Sequence, residues 1–356
     1  MVEGWAADGD AGRIADLVGT ILEEQDQLRD RGRMLDEQLG YALRVLALTP
    51  GRHFMQQLLR AQPPSPRAPL LASMIAHAQP LEHALWVLGQ GDDKANDVLG
   101  GCLFHELLLR GTDPKVLGNA YRRSMPSWLS PDDLSWLPRT LSELEHAEHF
   151  PSYTYRTGAG AGFGAARDMT APFPVNAEAR RAGAAHAVRQ TGSADRTALL
   201  TGPPAKGGWI NHEGRSFVAD APIPQEAVPG VLAALPLDCL EGLETQGDPP
   251  QFEVSESSAS EVWSILYDIG AGGGVGTNGL LAAYGRLAAW KSLCVLSGTN
   301  RYATCAQVEQ QARACTWFRF ETNAEWFCND LMSDVGIAAL TPDARTLTVL
   351  AATDTD

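Results

Sequence analysis

The chain has little of what marks a disulfide-rich, membrane-spanning or nucleic-acid-binding protein. Its six cysteines form no C-x-x-C pair, and several lie among apolar residues, so we expect reduced thiols in a core. Lysine and arginine number 28 against 43 aspartates and glutamates, and the net charge of −15 argues against a broad surface for nucleic acid or anionic lipid. The longest apolar stretch, 280–298, is interrupted by Arg286 and Lys291, which argues against a membrane span there.

The first ten residues, MVEGWAADGD, also lack the basic and apolar regions of a secretory signal. Together with the cysteine pattern, this predicts a cytoplasmic protein. Its acidity would favour a basic protein partner. The expected partner is a protein or a small-molecule ligand, and neither nucleic acid nor a membrane. The sequence leaves the oligomeric state open.

What the chain does have is 356 residues, enough for two domains. From residue 11 to about residue 149, apolar residues recur at helical spacing and predict an all-helical array or bundle over residues 1–150. Within it, the spacing predicts helices at 51–61, 68–88, 93–111 and 114–124. Residues 151–208 are rich in glycine and predict a linker or loops with one short helix near 177–190.

The last part, 209–356, predicts a smaller mixed domain with a mainly antiparallel sheet, so the expected fold class is α+β. Candidate strands are RSFVAD (215–220), PQFEV (250–254) and TWFRFE (316–321). GIAAL and TLTVLAAT flank the turn TPDAR and predict a closing β-hairpin. Before it, Thr322 and Glu325 have capping-box spacing, which predicts a short helix through Leu331 that ends before Gly336.

A glycine-rich stretch resembles a nucleotide-binding loop. Asp268 and the three glycines Gly270, Gly272 and Gly274 give the pattern D-x-G-x-G-x-G, and these glycines would then be the cofactor-binding candidates. Such a loop follows a strand, whereas the residues before this one have the capping pattern and periodicity of a helix. We therefore predict helix, glycine connector and helix, and expect no cofactor.

Two short segments resemble the magnesium motifs of class I terpene cyclases. DDKAND (92–97) matches the aspartate-rich motif, and NDLMS (329–333) matches the first part of the second. On that interpretation Mg²⁺ would be bound through oxygen ligands and would hold a diphosphate, the candidate ligands being Asp92, Asp93, Asn329 and Ser333. The second motif is incomplete, because Ile337 occupies its distal glutamate position. The simpler interpretation of the first is a helix cap, so we expect no metal.

Candidates for catalysis are few. Arg286 lies in an otherwise apolar helix, where it packs at the core edge or pairs with a buried carboxylate or anionic ligand; edge packing is favoured. His212 lies in a turn-like stretch, where exposure would permit acid–base work. Glu143, His146 and His149 would share one side of a helix and could bind a metal, although a solvated helix end is the simpler interpretation.

Several segments of the C-terminal half resemble an actinobacterial family of unknown function, domain of unknown function 6183. They are AAYGRLAAWKSL (282–293), the WFRFE and EWF segments, and the ending DVGIAALTPDARTLTVLAATDTD (334–356). The resemblance implies a cytoplasmic bacterial protein with a shared core, and it implies no mechanism. DDKAND and NDLMSDVG depart from this resemblance, which leaves room for a specialised role.

Two hypotheses follow. A binding or interaction role, of the scaffold or immunity type, is slightly favoured because no complete catalytic set is recognisable. The alternative is an enzyme of bacterial specialised metabolism with a small-molecule pocket between the two predicted domains, bordered by the glycine connector. Magnesium-dependent diphosphate chemistry is one version of that alternative.

Overall fold

Within the described residues up to 120, eight α-helices follow one another, as the helical periodicity predicts. The structure, a computed structural model, describes residues 1–27, 32–90, 94–120, 134–154, 169, 171–241, 251–327 and 334–354. The helices of this part are α1 Val2–Ala7, α2 Ala11–Gln27, α3 Gly32–Leu48, α4 Arg52–Arg60, α5 Ala68–Ala78, α6 Leu81–Leu88, α7 Lys94–Leu109 and α8 Pro114–Ala120.

The later described residues alternate between helices and strands, which confirms the α+β fold class. The helices are α9 Ala177–Ala184, α10 Ala194–Leu200, α11 Gly202–Gly207, α12 Val228–Ala234, α13 Ala259–Gly272, α14 Leu281–Leu296 and α15 Cys305–Ala314. The strands are β1 Phe173–Pro174, β2 Val188–Thr191, β3 Asn211–Ala219, β4 Phe252–Ser257, β5 Thr316–Thr322, β6 Asp334–Leu340 and β7 Thr346–Thr353. None of the described helices is both long enough and apolar enough to cross a membrane.

Local sequence explains where helices begin and end. Ser258 caps α13 by accepting the Glu261 N–H at 3.1 Å, as its capping pattern predicts. The single helix predicted over 68–88 is wrong, because the chain is extended at Gln79, the residue before Pro80. The buried Gln79 amide also donates to the carbonyls of Ala47 and Thr49 at the C-terminal end of α3, which stabilises the break.

One antiparallel sheet of seven strands runs in the order β1-β4-β5-β6-β7-β3-β2. The predicted hairpin is confirmed as β6 and β7, which pair from Asp334 opposite Thr353 to Leu340 opposite Leu347. The predicted strands overlap β3, β4 and β5, and only 316–321 lies wholly within its strand. Because side chains alternate along a strand, one face of the sheet carries the apolar set Phe217, Val254, Phe318, Phe320, Ala338, Leu347 and Val349, which packs with Val228, Val231 and Leu232 of α12.

The helix predicted from Thr322 towards Gly336 is wrong in its described part. Residues 323–327 form turns, and Gly336 lies within β6. A Cβ at Gly336 would lie 2.3 Å from the Phe320 carbonyl oxygen, so this glycine permits close packing in the sheet rather than ending a helix. Leu331 lies outside the described residues.

The chain divides into two compact units. The first comprises Met1–Ser135, Phe150–Gly162 and Leu281–Tyr284, and the second comprises Trp136–His149, Phe163–Leu280 and Gly285–Asp356. The sheet, α9 to α13 and α15 belong to the second unit. The division at 150 and 208 expected from composition stays a prediction.

Candidate functional site

Arg286 lies on α14 and is fully buried, not at the edge of the core. Its Nε donates to Glu145 Oε1 at 2.6 Å and its Nη2 to Oε2 at 2.9 Å, a bidentate pair between two side chains without solvent exposure. The guanidinium also donates to the carbonyls of Pro138 and Thr140, and Trp290 Nε1 donates to Glu145 Oε1 at 2.7 Å. These contacts fasten an irregular segment to α14.

That segment includes residues 143–149, and the helix predicted there is wrong. Residues 145–150 have no helical turn, and Ser260 and Ser264 of α13 donate to the carbonyl oxygens of Leu144 and His146, at 3.1 and 2.9 Å. Irregular carbonyls thus find partners on a neighbouring helix instead of within a helix of their own. Among the described residues, no group of three or more His, Cys, Asp or Glu side chains could hold a metal ion.

The other metal candidates cannot be placed, because Asp92, Asp93, Asn329 and Ser333 lie outside the described residues. His212 is exposed and lies in β3, opposite Ala352 of β7. It therefore belongs to a strand and not to the predicted turn.

The glycine-rich stretch follows a helix, as predicted, and not a strand. Gly270 and Gly272 are buried in α13, while Gly274 lies in the connector to α14. The Gly274 N–H donates to the Gly207 carbonyl at 3.0 Å. A Cβ at Gly274 would lie 2.6 Å from the carboxylate of Asp354, so glycine is required for this approach.

The connector holds an anion that belongs to the chain itself. The Asp354 carboxylate is buried and accepts the N–H groups of Ile210, at 3.1 Å, and of Val275. Thr277 Oγ1 then fastens the connector to the Gly207 carbonyl at 2.8 Å. The backbone N–H groups at this connector thus bind a side-chain carboxylate of the same chain.

The described cysteines are free thiols with little nucleophilic character. Cys102, Cys239, Cys294 and Cys305 are buried, and Cys315 is half-buried. Burial raises the pKa of each, to about 12 for Cys305 and Cys315. The thiols therefore stay protonated at neutral pH.

A polar cleft of about 610 Å³ lies in the second unit, at the end of the sheet that carries β3 and β7. Five hydroxyl side chains, a guanidinium, a carboxamide and a carboxylate line it, together with two glycines, a valine and a proline: Thr191, Gly192, Arg196, Ser216, Val218, Gly298, Gln311, Thr341, Pro342, Asp343, Thr346 and Thr348. The β-hairpin turn, α10 and α15 supply its walls.

The strand residues of the cleft are fixed by pairing. Ser216 of β3 lies opposite Thr348 of β7, and the Thr348 hydroxyl donates to Ser216 Oγ at 3.2 Å. Asp343 is held in the hairpin turn, where its Oδ1 accepts the Thr341 hydroxyl at 2.6 Å and the Arg345 N–H at 3.1 Å. These bonds, the Thr341 hydroxyl foremost, hold the pKa of Asp343 below its usual value.

Several groups in the cleft retain hydrogen-bonding capacity. Towards the residues that the structure describes, the Arg196 guanidinium donates only through Nη1, to the Thr299 carbonyl at 3.3 Å. In the part of the chain that the structure describes, neither the Gln311 carboxamide, the Thr346 hydroxyl nor Asp343 Oδ2 has a hydrogen-bond partner. Donors and acceptors of both kinds are therefore available in one concave site.

Sequence reasoning missed this cleft. Its members come from five separate segments, and only sheet pairing and helix packing bring them together. The available signal was the alternation of Ser216, Thr346 and Thr348, which places hydroxyls on one face of two strands. The sequence does not show which strands are neighbours in the sheet.

Comparison with known proteins gives a family and no activity. The model of a family of unknown function, DUF6183, matches residues 1–356, the whole chain. No curated protein and no solved structure matches.

Proposed function

The chain belongs to the family of unknown function DUF6183, and we propose that it is a binding protein whose cleft in the second unit holds a small polar ligand with a carboxylate or phosphate group. The observation that carries this proposal is the set of unused hydrogen-bonding groups that line a cleft of about 610 Å³. Ligand sites are concave and have a few polar groups in fixed positions.

Arg196 defines the charge of the ligand. A guanidinium offers a planar fork of donors that matches carboxylate and phosphate oxygens. Its Nη1 is held by Thr299, which orients the fork without using its other donors. The hydroxyl of Thr346 and the carboxamide of Gln311 supply further donors for the ligand's polar atoms.

An enzymatic role is the alternative, and the acid in the cleft argues against it. Asp343, whose pKa lies below even its usual acidic value, is ionised at neutral pH and serves there as an acceptor and not as a proton donor. The hydroxyls and the carboxamide around it hold ligands without titrating in the neutral range. These groups suit recognition better than acid–base chemistry.

We place the protein in the cytoplasm of a bacterium, without a nucleic-acid partner. The free, buried thiols support a reducing compartment. The net charge of −15 supports the exclusion of nucleic acid.

A thermal-shift screen of small carboxylates and phosphate esters tests the proposal. We expect at least one compound to raise the melting temperature of the wild type by a few degrees when present at about 100 times its Kd. Arg196→Gln should abolish the shift. Arg189→Gln, which removes an exposed arginine of β2 outside the cleft lining, should preserve it and serves as the matched control. If no compound shifts the wild type, or if both variants respond alike, the proposal fails.

A further inference from the structure

A cluster of buried polar side chains lies in the first unit, between α5, α7, residues 150–154 and the first turn of α14. Its centre is Glu106, whose side chain is 1% exposed. Glu106 Oε1 accepts the Ala282 N–H at 3.2 Å. Oε2 is buried and makes no hydrogen bond to any described residue, although Arg110 Nε lies 3.5 Å away.

Arg110 presents an open edge to this cluster. Its Nε and Nη2, the two donors along one edge of the planar guanidinium, are buried and make no hydrogen bond to a described residue, although Nε lies in an ion pair with Glu106. Phe150 lies against the guanidinium at 4.4 Å from the ring centroid and fixes its plane. Two parallel donors of this kind match the two oxygens of a carboxylate.

Two hydroxyls complete the site. Ser73 Oγ of α5 and Tyr153 Oη are both buried, and neither makes a hydrogen bond of ordinary length and angle to a described residue. Ser73 does interact with both Glu106 and Tyr153. His77 packs edge-on against the Tyr153 ring at 5.7 Å. Since buried polar atoms in native proteins are nearly always paired, several such atoms in one cluster point to a bound species.

We infer that this cluster is a second binding site, which takes the carboxylate of a small organic acid while Glu106 takes up one proton. Arg110 donates through Nε and Nη2 to the two ligand oxygens, Tyr153 donates its hydroxyl hydrogen to one of them, and Ser73 supports Glu106 and Tyr153. The inference concerns the first unit alone and does not depend on the cleft.

The proton that accompanies the ligand binds to Glu106 Oε2. Two carboxylates cannot both stay ionised at close range, so Glu106 binds a proton from solvent as the ligand enters. Oε1 already accepts the Ala282 N–H, so the proton goes to Oε2 and is then donated to the ligand. One anion and one proton enter together, and the net charge of the site does not change.

The surroundings of Glu106 favour its protonated form. Burial raises its pKa, and Arg110, Ser73 and the Ala282 N–H offset only part of the rise. The other titratable groups around it are Cys102 on its own helix, His77 on α5 and Tyr153. The pKa values of Cys102 and Tyr153 are raised by burial, and that of His77 is lowered by burial and by Arg110. At mildly acidic pH, Arg110 remains the cation that faces the ligand.

Isothermal titration of the full chain with acetate and formate tests the inference. Above the pKa of Glu106, titrations in two buffers of different ionisation enthalpy should show uptake of one proton on binding, and the affinity should fall by about tenfold per pH unit. Below that pKa Glu106 is already protonated, and binding should take up no proton. In Glu106→Gln the carboxamide replaces the protonated acid, so binding should persist without proton uptake or pH dependence.

Further variants separate this site from simple packing. Arg110→Lys keeps the charge but removes the parallel donors, and it should weaken acetate at least about tenfold. Tyr153→Phe should weaken it about fivefold to tenfold with little effect on folding. Arg196→Gln, in the other unit, should change nothing. The inference is overturned if neither anion binds the wild type at acid pH, if Glu106→Gln still takes up a proton, or if Arg110→Lys binds as tightly as the wild type.

Discussion

The buried pair of Arg286 and Glu145 is the residue-scale feature on which the packing around α14 most depends. Each charge has lost its hydration, and each is compensated by the other and by neighbouring dipoles. Such a pair adds little net stability compared with apolar side chains, but removal of one partner leaves an isolated buried charge.

We therefore expect Glu145→Gln to lower the free energy of unfolding by about 3–5 kcal/mol. Urea denaturation followed by circular dichroism measures the change. Glu143→Gln is the matched control, because Glu143 is exposed and its ion pair with Arg313 lies at the surface, where the cost should be below about 1 kcal/mol. Equal losses in the two variants would contradict a buried pair.

The thiols give a second prediction at this scale. Because burial raises their pKa values, the five described cysteines should not react with a disulfide reagent in the native protein at about pH 8. Cys328→Ser removes the thiol outside the described residues and sets the background. All five thiols should react in denaturant. Rapid labelling of any of them in the native Cys328→Ser protein would show that the burial is wrong.

At the scale of elements, α9 and α12 approach each other through a pair of glycines. A Cβ at Gly230 would lie 2.3 Å from the Ala179 carbonyl oxygen, and one at Gly183 would lie 2.0 Å from the Gly230 carbonyl carbon. Gly230→Ala must separate the helices and should cost about 1–3 kcal/mol of unfolding free energy. Gly118→Ala in α8 has open space around its Cβ and should instead stabilise by about 0.5–1 kcal/mol. Thermal unfolding of the two variants measures both changes. If both substitutions stabilised the protein, the close contact of α9 and α12 would be contradicted.

The connector between α13 and α14 depends on Asp354 in a comparable way. Asp354→Asn keeps one acceptor but turns an amide group towards a backbone N–H, so it should cost about 1–3 kcal/mol. Exchange of the amide hydrogens of Ile210 and Val275 should accelerate. Asp220→Asn, at an exposed position, is the control, and unchanged exchange in Asp354→Asn would contradict the contact.

Sequence patterns predicted those elements whose causes are local. The cap at Ser258 marks the start of α13, and alternation marks the hairpin of β6 and β7. Residues 143–149 were predicted wrongly because their partners, Ser260, Ser264 and Arg286, are distant in sequence. The periodicity of a segment does not show contacts with residues that are distant in sequence. The cleft could not be predicted for the same reason, because its residues come from separate segments.

At the scale of the whole molecule, the two units carry separate polar sites. The cleft of the second unit is open, and Arg196 is its cationic donor. The cluster of the first unit is buried, and Arg110 is its cationic donor. The chain has a net charge of −15, so its overall field repels anions. Local donors must therefore supply the affinity for an acidic ligand at either site.

Titration calorimetry of the strongest carboxylate or phosphate ligand from the screen tests most directly whether the cleft is the binding site. Loss of a charge-assisted bond of about 1.5–3 kcal/mol predicts that Arg196→Gln binds roughly ten to a hundred times more weakly than the wild type. Arg189→Gln should bind as the wild type does. Equal dissociation constants for all three proteins would contradict the cleft as the binding site.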